Sequence, residues 1–153
     1  MSKVVKRRRG TAIVDTTDGI LVTAGTNRVY LLPGGGTKRH ETRMMAAMRE
    51  LKEETGLETY EVKYLFRHKG NLNKSHGHGY FQNYHTVRLI KAKGEATPRH
   101  EIKSIAYYQP GSNIHISRTT KEIINRYYDY KKKSKIRQKL INLIGRIFEW
   151  LVI

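Results

Sequence analysis

Between Gly35 and Leu57 the chain reads GGTKRHETRMMAAMRELKEETGL, and no other stretch restricts the fold as much. From Thr42 to Thr55 there is neither Gly nor Pro, and Met, Ala, Arg, Glu, Leu and Lys are good helix formers. The run therefore predicts a helix. Met44, Met48, Leu51 and Thr55 recur at i, i+4, i+7 and i+11, which draws one largely apolar stripe. Glu50, Glu53 and Glu54 fall on another face, centred about 130° from that stripe. Their spacing makes them neighbours, and like charges so placed destabilise a bare helix. Something positive must sit among them. Arg49, four residues before Glu53, is one candidate. A hard divalent cation is the other, since Mg2+ takes oxygen ligands and needs few carboxylates beside substrate phosphates. Gly56 then stops the helix as a C-terminal cap.

Four carboxylates within 14 residues (Glu41, Glu50, Glu53 and Glu54), an arginine among them and a glycine run before them suggest a metal and phosphate site. The same residues resemble the Nudix box, G-x5-E-x7-R-E-U-x-E-E-x-G-U with U aliphatic. Gly35, Glu41, Arg49, Glu50, Leu51, Glu53, Glu54, Gly56 and Leu57 meet every fixed position. A Glu-rich helix alone is usually a solvated face; the full spacing is what argues for a site.

The resemblance implies an α/β fold, the Nudix α/β/α sandwich with a mixed β-sheet and the box in a loop–helix–loop. It implies a Mg2+-dependent hydrolase, with Mn2+ as a substitute, that cleaves the pyrophosphate of a nucleoside diphosphate linked to a group X by means of a metal-activated water. By resemblance Glu50, Glu53 and Glu54 hold metal, with the Gly35 carbonyl as a further ligand. Arg49 orients the glutamates and Glu41 supports the loop. Glu50 is one candidate general base. Glu101, before a late strand, is another, and a solvent-facing charge is the equal alternative for it. The Gly34-Gly35-Gly36 run lets backbone approach a phosphate closely.

The order of elements agrees with a mixed sheet covered by helices. Thr11–Asp15 and Ile20–Thr23 flank Thr16-Thr17-Asp18-Gly19, a hairpin pattern. Val29–Leu32 reads as a third strand, ended by Pro33 and the glycines. Glu61–Phe66 alternates like a strand, residues 69–79 read as a polar loop, and Tyr80–Ile90 and Ile102–Tyr108 as further strands. Ser117–Tyr130 reads as a second helix, with Ser117 or Thr119 as its N-cap. His76, His78 and His85 have no cysteine beside them and read as polar loop groups rather than a zinc site. Tyr30, Tyr80, Phe81 and Tyr84 could stack on a base, though core packing is the expected role.

At 153 residues the chain suits one hydrolase domain, residues 1–130, followed by an extension, residues 131–153. The absence of cysteine excludes disulfides and thiolate chemistry and suits a cytoplasmic setting. The basic N-terminus lacks the apolar run of a signal peptide. The net charge is +17, and residues 131–153 hold seven cations and one acid. A field of that sign attracts polyanions such as nucleotides, RNA or an anionic membrane surface. In the extension Ile136, Leu140, Ile144, Ile147 and Leu151 mark a basic amphipathic helix. Packing on its own domain, pairing as a homodimer, and lying peripherally on a membrane are its three candidate roles.

Substrate choice is less legible. The ADP-ribose type carries a proline downstream of the box, and the prolines here are Pro33, Pro98 and Pro110. The tyrosine of the dinucleoside polyphosphate type is missing from residues 72–75, Leu-Asn-Lys-Ser. A nucleoside triphosphate, oxidised or not, is the default. The alternatives are RNA with a 5′ triphosphate and a non-catalytic nucleotide-sensing module.

Overall fold

The computed structural model describes residues 4–75, 77 and 79–151. The elements are β1 (Val4–Ile13), β2 (Asp15–Thr16), β3 (Gly19–Ala24), β4 (Gly34–Gly36), α1 (Arg43–Thr55), β5 (Glu58–Lys74), β6 (Tyr80–Lys93), β7 (Ser104–Tyr108) and α2 (Arg118–Leu151). The chain falls into two compact units, Met1–Thr120 and Lys121–Ile153.

The first unit holds two sheets. One has the order β4-β1-β6-β5 and the other β2-β3-β7. β1 and β6 run parallel through ten paired positions, while the remaining pairs are antiparallel. The fold is therefore α/β with a mixed sheet, as the sequence implies. Helix α1 is seated on β1 at Gly10, where a Cβ would strike the backbone of Arg43 and Ala47. Ala12, Val14, Leu21, Ala47, Leu51, Leu57 and Ile90 form the core beside it. Each such buried aliphatic side chain contributes about 1.5–3 kcal/mol, less for alanine.

Several local readings are corrected. The turn after Thr16 forms, with Thr16 opposite Gly19, but Thr11–Ile13 does not pair with β3. That segment belongs to β1, whose long parallel pairing with β6 outweighs a short hairpin. Val29–Leu32 forms only isolated bridges, Thr23 with Leu31 and Tyr30 with Ile116. The glycine run is itself the strand: Gly34, Gly35 and Gly36 pair with Thr11, Gly10 and Arg9. The polar stretch after Lys69 stays in β5 as far as Lys74, because β6 supplies a partner along its whole length. In α1 the buried side is Ala46, Ala47, Leu51, Glu54 and Thr55, whereas Met44 is exposed.

The second helix opens as the sequence predicts. The Ser117 hydroxyl accepts the Thr120 amide at 3.2 Å, an N-cap bond. It does not stop at Tyr130 but continues to Leu151. Within the second unit Ile123, Ile124 and Tyr127 are buried, and every residue from Lys132 to Leu151 is exposed. Among the described residues no helix is long and apolar enough to cross a membrane.

Candidate active site

Helix α1 has two local devices at its ends. Thr42 caps the start by accepting the Met45 amide at 3.1 Å. Gly56 ends it in the left-handed conformation at φ 76°, and its amide returns to the Lys52 carbonyl. Only glycine adopts that conformation without cost, and a Cβ there would also meet the Arg99 guanidinium. The helix is thus held at both ends, and its glutamates are presented in fixed positions.

Arg49 is the hub. Its Nε donates to Glu41 Oε1 at 2.7 Å and its Nη2 to Glu41 Oε2 at 3.0 Å. Its Nη1 donates to Glu50 Oε1 at 2.7 Å and to Glu53 Oε2 at 3.0 Å. Nη2 also reaches the Gly36 carbonyl at 3.1 Å. One guanidinium therefore ties three carboxylates to β4, using the fork geometry that lysine lacks. These bonds hold Arg49 still more firmly protonated than an ordinary arginine. The Arg49 bonds, with help from the Lys38 amide, lower Glu41 to about 2. Of the two positive partners expected among the glutamates, Arg49 occupies this place.

Glu54 stands apart from that hub and is the buried member of the set, 6% exposed. Its Oε2 accepts the Thr23 hydroxyl at 2.8 Å and its Oε1 the Gly34 amide at 3.3 Å. Burial raises its pKa to about 7, against the two hydrogen bonds and with help from the charges of Glu50 and Glu101. Glu50 lies against Gly35, where a Cβ would overlap its carboxylate. Glu53 is the most exposed of the three helix glutamates, its side chain 42% exposed, and Lys38 approaches it to 3.8 Å.

Glu54 and Glu101 line one cavity of about 390 Å³, together with Arg9, Thr23, Asn27 and Gly34. Glu101 lies in the turn before β7. The cavity is within the usual range for small ligands. Arg9 was not legible as a site residue, being one of several cations near the N-terminus. Strand alternation is the signal that could have found it, since it turns Arg9 away from Arg8. Its Nη2 donates to the Gly34 carbonyl at 2.9 Å. Burial lowers its pKa, opposed by Glu50 and Glu54. Thr23 was missed too, because a buried threonine in a strand resembles any other.

The remaining candidates lie elsewhere. His85 is not in a loop but on β6, where its Nδ1 is 2.9 Å from the Thr11 hydroxyl. Burial, then Arg9 and His68, lowers it to about 4, so it is neutral near pH 7. His76 and His78 lie outside the described residues. Phe81 and Tyr84 are not core residues as expected: Arg7 sits 3.8 Å from the Phe81 ring, and Lys6 and Lys69 face Tyr84. Tyr80 is exposed and Tyr30 half-buried.

Among the described residues no three carboxylates or histidines already converge as a metal cage. Three of the four box glutamates instead converge on Arg49. The donor chemistry still fits a hard cation, since Mg2+ is held by one or two carboxylates, with waters and substrate phosphates completing the shell. The charge burden around Glu54 has the same sense, because two neighbouring carboxylates raise a group that a cation would lower.

The NUDIX domain family matches residues 6–127. A protein from Chromobacterium violaceum assigned to the Nudix hydrolases is 36% identical, with a TM-score of 0.70 over 90% of this chain and 89% of that one. A MutT Nudix hydrolase from Burkholderia pseudomallei shares the fold at 18% identity, TM-score 0.63, covering 76% of this chain and 93% of its own. The E. coli ORF135 protein does so at 18% identity and TM-score 0.64, covering 85% and 92%. No curated protein matches the chain. The box, the mixed sheet and a family match running from β1 into α2 lead to one conclusion: the chain belongs to the Nudix hydrolases, pyrophosphohydrolases that act on nucleoside diphosphates linked to a further group.

Proposed function

We propose that this protein is a cytoplasmic, Mg2+-dependent pyrophosphohydrolase of nucleoside triphosphates, including oxidised ones. The observation that carries the reading is the cavity in which the buried Glu54, the half-buried Arg9 and the exposed Glu101 meet the backbone of the glycine strand. Glu50, Glu53 and Glu54 are the residues that would hold the cation, with the Gly35 carbonyl as a further oxygen. The ion, when bound, supplies charge neutralisation at the phosphates and a more acidic attacking water. Arg9 places a fixed positive charge where phosphate oxygens would lie, and Gly34 and Gly35 let them come close to the backbone. Arg49 keeps Glu50 and Glu53 aimed, and Glu41 holds Arg49. Glu50 and Glu101 are the two candidates to take the proton of the attacking water.

The test is release of pyrophosphate and phosphate with Mg2+, for wild type and Glu54→Gln, across nucleoside triphosphates, 8-oxo-dGTP, ADP-ribose and dinucleoside polyphosphates. Turnover of a triphosphate that drops at least about a hundredfold in the variant is expected. Unchanged turnover in Glu54→Gln would sink the assignment of the site.

One observation favours RNA with a 5′ triphosphate as a second reading. Arg8, Arg43, Arg67 and Arg88 line a cavity of about 470 Å³ at the N-terminal end of α1, with Tyr64 in its wall and Glu41 among its lining residues. Backbone phosphates beyond the reacting end could bind there, and such contacts make affinity strongly salt-dependent. A steep salt slope for RNA that is absent for free nucleotides separates the two substrates.

A further inference from the structure

We propose that residues 131–153 are an extension of the hydrolase domain, residues 1–130, and that its amphipathic helix lies on an anionic bilayer surface. Ile136, Leu140, Ile141, Leu143, Ile144, Ile147, Phe148, Trp150 and Leu151 are each between 49% and 77% exposed. So many large apolar side chains on one helix mark a surface that something covers. At about 100° per residue they occupy roughly half of the helix circumference. The other half carries Lys135, Gln138, Lys139, Asn142, Arg146 and Glu149, and Gln138 donates to Asn142 at 3.0 Å along it. Lys135, Lys139 and Arg146 fall within about 40° of one another, beside the apolar edge that ends at Trp150. Lys133 and Arg137 fall inside the apolar sector and Lys132 at its edge, and their aliphatic stems let the charged ends reach the headgroups.

Charge selects this occupant over a second copy of the chain. Seven cations against one acid in residues 131–153 complement anionic headgroups and repel an identical helix. Ile136, Leu140, Leu143, Ile147 and Trp150 do follow the alternating four- and three-residue spacing of a coiled-coil seam. That seam is little over two heptads, short of the three to four that mark a coiled coil. It would also leave Ile141, Ile144, Phe148 and Leu151 uncovered. A half-circumference apolar face with large aromatics and flanking cations is the pattern of a helix lying in the membrane interface.

Trp150 is the sole tryptophan of the chain and so a native probe. Full-length protein is mixed with vesicles of phosphatidylcholine, or of equal parts phosphatidylcholine and phosphatidylglycerol, and followed by Trp fluorescence and co-sedimentation. With anionic vesicles the emission shifts to the blue and the protein pellets. Affinity for phosphatidylcholine alone is weaker by on the order of fivefold per engaged cation, a hundredfold for three. The double variant Ile144→Glu, Phe148→Glu loses binding while keeping the wild-type circular dichroism and melting transition. No pelleting with anionic vesicles, equal binding by the double variant, or a concentration-dependent dimer that the double variant abolishes would each overturn the proposal. None of these readouts depends on turnover, so they fail or succeed separately from the nucleotide assignment.

Discussion

Along α1 some charged side chains are drawn inward while Lys52 stays outside. Glu54 is buried, and Arg49, only 20% exposed, is engaged by Glu41, Glu50 and Glu53. Along α2 beyond Lys131 apolar side chains stay outside, and Trp150 is 77% exposed. Composition does not explain the contrast, since both helices mix aliphatics with charges. In α1 the partners arrive from other elements: Thr23 from β3, the Gly34 amide and Gly36 carbonyl from β4, and Glu41 from the loop before the helix. Burying a charge costs heavily unless it is paired and hydrogen-bonded, and here each has a donor or acceptor waiting. The lesson is that a helix sequence offers faces, and what meets those faces decides whether charge or hydrocarbon goes inside.

The sharpest way to break the α1 arrangement is to remove its hub. Arg49→Ala leaves Glu41, Glu50 and Glu53 without their shared cation. Hydrogen bonds to charged groups are worth about 1.5–3 kcal/mol each and do not add. A loss of about 3 kcal/mol in urea unfolding is expected, together with a collapse of turnover. Arg49→Lys should recover only part of either, because an ammonium cannot bridge in the same plane.

Gly35→Ala attacks the same set more gently. Its new Cβ overlaps the Glu50 carboxylate, which must give up its place beside Arg49. A cost of about 1–3 kcal/mol would be typical of overpacking. Turnover should fall more than melting temperature does, and a variant with wild-type turnover would show that the position of Glu50 is unimportant.

The raised pKa of Glu54 gives a pH test. Its folded value of about 7 lies above the ordinary 4.5, so the fold favours the neutral acid. That stabilisation is complete below about pH 4.5 and fades as pH climbs through 7. In chelator the wild-type melting temperature should therefore drop between pH 5 and pH 8, and Glu54→Gln should flatten the drop. Adding Mg2+ should raise the melting temperature more at pH 8 than at pH 5.5, because the ionised carboxylate is the ligand form. Equal stabilisation at both values would remove Glu54 from the ligand set.

The smallest effect belongs to the exposed face of α2. Ile144→Ser should change stability by no more than about 0.5 kcal/mol in urea, as exposed positions do. A large loss would mean that this face is covered in solution, and the contrast with α1 would disappear.

How much of this was legible beforehand follows from the range of each interaction. Helix α1, its cap at Gly56 and the Arg49–Glu53 pair depend on residues at most four apart, so periodicity and capping chemistry revealed them, whereas the Thr42 cap emerged only from the structure. The box carried the family because its spacing is a property of the order of residues alone, from Gly35 to Leu57. The hairpin reading failed at Thr11–Ile13 because β6, paired with β1 at a separation of 76 positions, offered a better partner. Residues 69–74 were misread because their polarity says nothing about the strand beside them. Thr23 and the burial of Glu54 were invisible, and alternation could single out Arg9 from its neighbours but not place it in the cavity, since each depends on β1, β3 and β4 meeting at the end of α1. The sequence by itself thus determined the helix, the acidic set and the excess of positive charge. Only the tertiary structure decided which carboxylate is buried, which arginine lines the cavity and which apolar face is left uncovered, because burial and pairing between distant strands are properties of the assembled chain.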